Sequence, residues 1–212
     1  MGSKGRMTAI LIVGTLNVLY MFHYYLRDGF IAEIEFIGFP IMIALAWWCG
    51  KQYDVVKYYS EMDTLTKLYN RRYMNQYISK VEKNDGEFAI LLLDVNDFKI
   101  INDRYGHKAG DHFLKMIASQ LLEAAGRKEK VARWGGDEFI ILFPNPPKRK
   151  DLEKRIEEIH QRLIDISPKG LEIGVSIGTA IYPTEGKNFD EILKAADQKM
   201  YKVKAQKNRI MS

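Results

Sequence analysis

The chain has 212 residues and a single cysteine, Cys49, so no disulfide can form within it and no thiolate cluster can hold a metal. That poverty in cysteine points to a reducing compartment for whatever chemistry the chain performs. Its four histidines, His23, His107, His112 and His160, fall at no zinc spacing. One sign of charge hardly dominates: 32 basic residues against 27 acidic ones leave a formal net charge of +5. The basic residues are interleaved with acids and the aromatics are scattered, which excludes the footprint of a nucleic-acid surface. A mild positive excess does suit an anionic ligand such as a nucleotide. Internal repeats and low-complexity segments are absent as well.

Charge is also missing locally. "TAILIVGTLNVLYMFHYYL" (8–26) contains no Asp, Glu, Lys or Arg, close to the roughly 20 residues that cross a bilayer as a helix. A second apolar run, "FIGFPIMIALAWWCG" (36–50), is shorter and carries Pro40, which kinks a helix. With Ile34 completing it, the second run predicts a short tilted span over 34–50, or else a re-entrant or interfacial segment. Trp47, Trp48 and Tyr53 would sit at its membrane–water boundary. Lys4 and Arg6 precede the first run, Lys51 and Lys57 follow the second, and Asp28, Glu33 and Glu35 lie between. The positive-inside rule then places both ends in the cytoplasm and predicts a transmembrane hairpin over residues 1–50 of a multi-pass cytoplasmic-membrane protein. A cleaved signal peptide is disfavoured, because no small-x-small pattern follows the first run. Residues 51–62, with Val55, Tyr59 and Met62 at helical spacing, predict a connecting helix whose stripe serves packing or pairing with a second copy.

From Asp63 to the end the pattern is that of an alternating α/β domain. "RRYMNQYISKVEK" suits a helix and "EFAILLLDV" a strand buried on both faces. "GDHFLKMIASQLLEAAG" has helical apolar spacing at Phe113, Leu114, Ile117, Leu121 and Leu122. "KVARW" and "DEFIILF" flank Gly135 and Gly136 and predict a tight hairpin whose glycines can take positive φ without penalty. "DLEKRIEEIHQRLIDI" reads as a helix, "LEIGVSIGTAIY" as a strand and "FDEILKAADQKMYKVKA" as a final helix.

Asp137 follows the glycine pair and Asp94 ends the strand "AILLLD". If those strands are neighbours, the two carboxylates invite a hard divalent cation, and magnesium commonly binds through one or two carboxylates plus substrate phosphates. Each acid taken alone could equally cap a turn. Between them, "DVNDFKIINDRYGHKAGD" (94–111) reads as a loop with Gly106 and Gly110. It carries Lys99, able to neutralise a transferring phosphoryl group, and Asn102 with Asp111, able to read a guanine edge.

Taken together, "DTLTKLYNRR", "LLLDVNDFKIINDRYGHKAGD", "RWGGDEF", "GVSIGTA" and "AADQKMYKVKAQKNRI" resemble the motifs of the GGDEF-domain diguanylate cyclases, in that family's order and spacing. The resemblance spans residues 63–212. It implies an α/β (α+β) GGDEF domain with a central, mostly antiparallel sheet flanked by helices, similar to class III nucleotide cyclases and the polymerase palm. It also implies magnesium-dependent condensation of two GTP into cyclic di-GMP with release of two pyrophosphates, by a homodimer whose product acts on downstream cyclic di-GMP effectors. By resemblance, Asp94, Asp137 and the carbonyl of Val95 bind Mg2+ (or Mn2+), and Asp137 is the base for the ribose 3′-hydroxyl. Lys99 stabilises the transition state, Asn102 and Asp111 bind guanine, and Lys204 and Lys207 reach the triphosphate. Glu138 belongs to the catalytic set. The alternative is an inactive GGDEF module that binds GTP or cyclic di-GMP to regulate a partner.

Three positions depart from the family pattern. Asn96 stands where a second Asp is common, and "KAQKNRI" lacks the usual glycine near the C-terminus. "GRKE" (126–129) places Gly126 and Glu129 where many members have the Arg and Asp of a product-binding motif. Without that arginine fork for phosphate, the expectation is a cyclase without product inhibition at this place.

Overall fold

In the computed structural model, residues 3–30, 33, 35–84, 86–146, 148–165 and 174–211 are described, apart from the side chains of Arg149 and residues 207–211. The chain divides into two compact units, Met1–Glu61 and Met62–Ser212.

The first unit is a pair of helices, α1 (Lys4–Asp28) and α2 (Glu35–Glu61). Apolar side chains cover α1 all round and none of its residues is buried. By length and composition α1 can cross a membrane, and among the described residues no other helix meets that measure. The expected second span over 34–50 is not among the helices that meet it: within the described residues its apolar run is bounded by Glu35 and Lys51 and continues directly into the charged half of α2. Ile34, expected to complete that run, lies outside the described residues. The helix is continuous through Pro40, close to its start, and takes in the 51–61 segment.

The second unit is a five-stranded sheet between two helical layers. Its elements are β1 (Tyr69–Asn70), α3 (Arg71–Lys83), β2 (Phe88–Val95), α4 (Phe98–Tyr105), α5 (His107–Ala124), β3 (Lys130–Arg133), β4 (Glu138–Phe143), α6 (Arg149–Asp165), β5 (Val175–Tyr182) and α7 (Phe189–Met211). The strand order is β1-β3-β4-β2-β5, antiparallel throughout except for the β1–β3 pair. The central strand β2 is buried on both faces, as its unbroken apolar run requires. Ala89, Leu91, Leu93 and Val95 pack with α5 and α6 residues such as Ile117, Leu121 and Leu163. Phe88, Ile90 and Leu92 point the other way, onto Met74 and Ile78 of α3 and Ile192, Ala196 and Met200 of α7.

Two local expectations are corrected, and one short strand is added. The 98–111 stretch is not a loop but the helix pair α4–α5, with Gly106 at φ +82° making the corner between them. Leu122 falls off the buried stripe of α5 and is 53% exposed. The two-residue strand β1 was not expected, since a strand so short leaves no period to read.

Candidate active site

Strand alternation puts the acids together. The even-numbered positions of β2 face α3 and α7, so the series Phe88, Ile90, Leu92 ends with Asp94 on that face. In the sheet register Asp94 pairs with Glu138 of β4 on one side and Ser176 of β5 on the other. Asp137 is the last residue of the β3–β4 turn, and its carbonyl accepts a hydrogen bond of 3.2 Å from the Val95 N–H. The electrostatics follow from this crowding. Burial, and then the charge of Asp94, hold the Asp137 carboxyl above the usual carboxylate range. Glu138 is raised by burial and by Asp94, Asp137 and Asp197.

The cation facing this cluster is Lys204. On α7, Ile192, Ala196 and Met200 recur at four-residue spacing and pack on the sheet, and Lys204 is the next residue on that face. The helix lies against bare backbone: a Cβ on Gly178 of β5 would sit 2.0 Å from the Ala196 carbonyl oxygen and 2.6 Å from the Met200 nitrogen. At this height Lys204 Nζ donates to Asp94 Oδ1 at 2.5 Å. Partial burial works against the ammonium charge, but the hydrogen bond to Asp94 and the charges of Asp94 and Asp137 outweigh it and raise its pKa. The lysine expected at the triphosphate is thus anchored on a metal-ligand candidate. The side chain of Lys207 lies outside the described residues.

The glycine turn does not draw on the positive φ open to it. Neither Gly135 nor Gly136 is at positive φ. At Gly135 an added Cβ would lie 2.5 Å from Glu138 Oε2, so the glutamate side chain would have to turn aside, whereas a Cβ on Gly136 would meet nothing within 4 Å. Arg133 braces the turn. Its Nη2 and Nε donate to the Gly136 carbonyl at 2.6 and 3.1 Å, and its Nη1 reaches both oxygens of Asp63 at 3.3 and 3.4 Å. Asp63 in turn accepts from the backbone N–H and hydroxyl of Thr66. Burial opposes its charge, yet these donors and Arg133 keep its pKa below the usual value.

The purine-reading candidates meet at the α4–α5 corner. Asp97 starts α4 at φ +55°, a left-handed conformation that Asp tolerates. Lys99 is exposed on the first turn of α4. Asn102 lies over the start of α5, where a Cβ on Gly110 would fall 2.0 Å from Asn102 Oδ1. Asp111, the next residue, is exposed. Asn96, in place of a second Asp, acts as a tie between strands: its Oδ1 accepts from the buried Ser176 hydroxyl at 2.7 Å, and its N–H bonds to the Gly174 carbonyl. Arg133, Ser176 and Gly178 received no role from the sequence, although all three stand inside the quoted strings "RWGGDEF" and "GVSIGTA".

The donor set fits a magnesium ion. Asp94 and Asp137 repel one another, which a divalent cation relieves, and magnesium takes few protein ligands beside substrate oxygens and water. Among the described residues no group of three or more His, Cys, Asp or Glu forms a self-sufficient metal cage.

The comparisons with known proteins agree with this geometry. The family described as "Diguanylate cyclase, GGDEF domain" matches residues 60–209. Diguanylate cyclase DgcM of Escherichia coli is 31% identical over 189 residues, covering 84% of this chain and 45% of DgcM. The bifunctional diguanylate cyclase/cyclic di-GMP phosphodiesterase MucR of Pseudomonas aeruginosa is 35% identical over 150 residues, 68% of this chain and 22% of MucR. The chain thus spans less than half the length of these relatives. Among solved structures, a sensory box/GGDEF family protein from Caulobacter crescentus superposes with TM-score 0.61 at 30% identity, over 69% of this chain and 99% of that one. The GGDEF domain of DgcB from Caulobacter crescentus, solved in complex with c-di-GMP, gives TM-score 0.62 at 26% identity, over 69% and 89%. With its family match, its fold and its clustered acids in accord, the chain belongs to the GGDEF-domain diguanylate cyclase family.

Proposed function

We propose that the chain is an active diguanylate cyclase, condensing two GTP into cyclic di-GMP and two pyrophosphates, anchored at the cytoplasmic face of a membrane. The observation that carries the reading is the cluster of Asp94, Asp137 and Lys204 at one end of β2, with Asn102 and Asp111 grouped at the α4–α5 corner. Each 3′-hydroxyl attacks the α-phosphorus of the other nucleotide, forming a P–O bond as the bond to pyrophosphate breaks. Asp137 takes the hydroxyl proton. A carboxyl held above its usual range binds that proton more strongly than an ordinary surface Asp does. Lys99 and Lys204 neutralise phosphate charge, Glu138 flanks the turn, and Asn102 and Asp111 select guanine. Asp94, Asp137 and the Val95 carbonyl would hold Mg2+, which supplies Lewis-acid polarisation of the phosphate.

The product has two-fold symmetry, so two domains related by a dyad each present one GTP. We assign the encounter to α1 and α2, with α1 in the bilayer, the apolar half of α2 beside it and both basic ends in the cytoplasm. An isolated 62–212 fragment is expected to lose activity at low concentration; undiminished activity there would remove this part of the reading.

Product inhibition through the 126–129 loop is not expected. Glu129 accepts from the Gly126 N–H at 2.7 Å and from Arg155 at 3.1 Å, so the loop's acid is turned onto its own backbone and its neighbouring arginine. The adjacent cavity, about 410 Å³, is lined by the acids Asp151 and Glu158 as well as by Lys154 and Arg155, the latter already engaged by Glu129. A product-inhibition curve showing submicromolar block, abolished by mutating this loop, would refute this. The activity itself is tested by incubating the full chain with GTP and magnesium and analysing for cyclic di-GMP. The wild type is expected to make it and Asp137→Ala to make none; no product from the folded wild type overturns the reading.

A further inference from the structure

The two helices of the first unit touch backbone to backbone near one end. A Cβ on Gly50 would lie 2.5 Å from Arg6 Cα and 2.7 Å from the Gly5 carbonyl oxygen, and farther along Gly14 faces Ile43. The helices therefore run antiparallel. Asp54, only 6% exposed, caps the start of α1: it accepts from the backbone N–H groups of Gly5 and Arg6 at 2.8 and 3.3 Å and from Arg6 Nε at 3.2 Å. That carboxylate and that arginine are thereby committed to each other.

Beside the crossing runs a groove of about 500 Å³. Positions 4, 8 and 12 of α1 and 49, 53 and 57 of α2, each set four residues apart, form its two walls. At one end stand Lys4, Tyr53 and Lys57; at the other, Ile12 and Cys49; Thr8 lies between. From Lys4 to Ile12 the wall is about 12 Å long at 1.5 Å per residue. No ion pair of Lys4 is seen among the described residues, and Lys57 meets Glu61 only at 3.9 Å with both side chains substantially exposed.

We propose that this groove binds an anionic phospholipid, its phosphate between Lys4 and Lys57 and the head of an acyl chain along Ile12 and Cys49. The proposal rests on the membrane-anchored reading above. A single cleft that is basic at one end and apolar at the other matches an amphiphile with a negative head. A free phosphate would fill only the basic end. A second copy docked about a two-fold axis on this groove would bring the same lysines together, at a cost in like-charge repulsion.

The test uses the full chain. Flotation with phosphatidylcholine vesicles reads membrane association alone. Native mass spectrometry of detergent-solubilised protein then reads bound phosphatidylglycerol against bound phosphatidylcholine, with inorganic phosphate as competitor. Wild type is expected to float and to prefer phosphatidylglycerol. Lys4→Glu and Lys57→Glu should each cut the preference about fivefold or more, since loss of one basic residue near an anionic surface costs about 1 kcal/mol and the new carboxylate adds repulsion. Ala9→Trp, which fills the groove without changing charge, should reduce retention of the lipid. Lys51→Glu, at the same boundary but outside the groove, should keep the preference. Equal loss in Lys51→Glu, no preference in wild type, or complete displacement by inorganic phosphate would each overturn the site while leaving the anchor intact. Failure to float with any vesicle would overturn the anchor and the site with it.

Discussion

Replacing Gly178 by alanine tests whether α7 positions Lys204 against Asp94. The added Cβ would lie 2.0 Å from the Ala196 carbonyl oxygen and 2.6 Å from the Met200 nitrogen, both backbone atoms of α7. Ordinary van der Waals contact begins near 3.4 Å, so the helix must retreat by 3.4 − 2.0 = 1.4 Å at its closest point. Gly178 is not at positive φ, so the whole effect is steric. Overpacking of this kind costs about 1–3 kcal/mol, and each kcal/mol lowers the Tm by about 2–4 °C in a domain of this size. Activity should suffer more than stability. Lys204 lies on the same face as Ala196 and Met200, and its hydrogen bond to Asp94 is only 2.5 Å long. A shift of about 1 Å at a reacting centre can lower the rate about 100-fold. The assay is cyclic di-GMP production by the full chain, beside thermal unfolding followed by circular dichroism. Wild-type rate together with wild-type Tm in Gly178→Ala would refute the reasoning, since the helix would then not be resting on that glycine.

Arg133→Ala should cost about 2 kcal/mol, the scale for hydrogen bonds made by a charged group, because both it and Asp63 are four-fifths buried. The same change should lower kcat more than it alters KM, since the Gly136 carbonyl it holds adjoins Asp137; Arg133→Lys should not restore kcat, as an ammonium lacks the fork that spans both partners. The raised carboxyls give a pH signature. A group whose folded pKa lies above its unfolded one favours folding below the unfolded pKa and loses that contribution as pH rises through the folded value. Without magnesium, Asp137→Asn should therefore raise the Tm at neutral pH, and the gain should vanish as pH falls through the range where Asp137 protonates. Added magnesium should shrink the gain at neutral pH by stabilising the wild type. A lower Tm in Asp137→Asn at every pH would contradict the proposed crowding. Asp63 should act in the opposite sense, its pairing being lost as pH falls through its depressed pKa.

Much of the second unit was legible because its elements are periodic or motif-bearing. The unbroken run of β2 announced a strand buried on both faces, and the helical spacing of Phe113, Leu114, Ile117 and Leu121 announced the core-facing side of α5. Asp94 and Asp137 could be paired from strand ends alone, provided β2 and β4 were neighbours, and they are. What escaped reading was tertiary. The 98–111 stretch carries two glycines and many polar residues, a composition shared by a loop and by a pair of helices with a tight corner. The positive φ belongs to Gly106 rather than to Gly135 or Gly136. Arg133 and Gly178 act through contacts with residues distant in sequence, Asp63 and Ala196, and no local pattern encodes those. In the first unit, the second apolar run is bounded by Glu35 and Lys51 in a helix that simply continues, and Ile34, expected to begin the span, lies outside the described residues.

The most direct measurement is a crystal of the protein with manganese and a GTP analogue whose α-phosphate cannot be transferred, examined by anomalous scattering. The account predicts a metal peak in contact with the carboxylates of both Asp94 and Asp137. Carboxylates turned away from each other with no metal between them would contradict it.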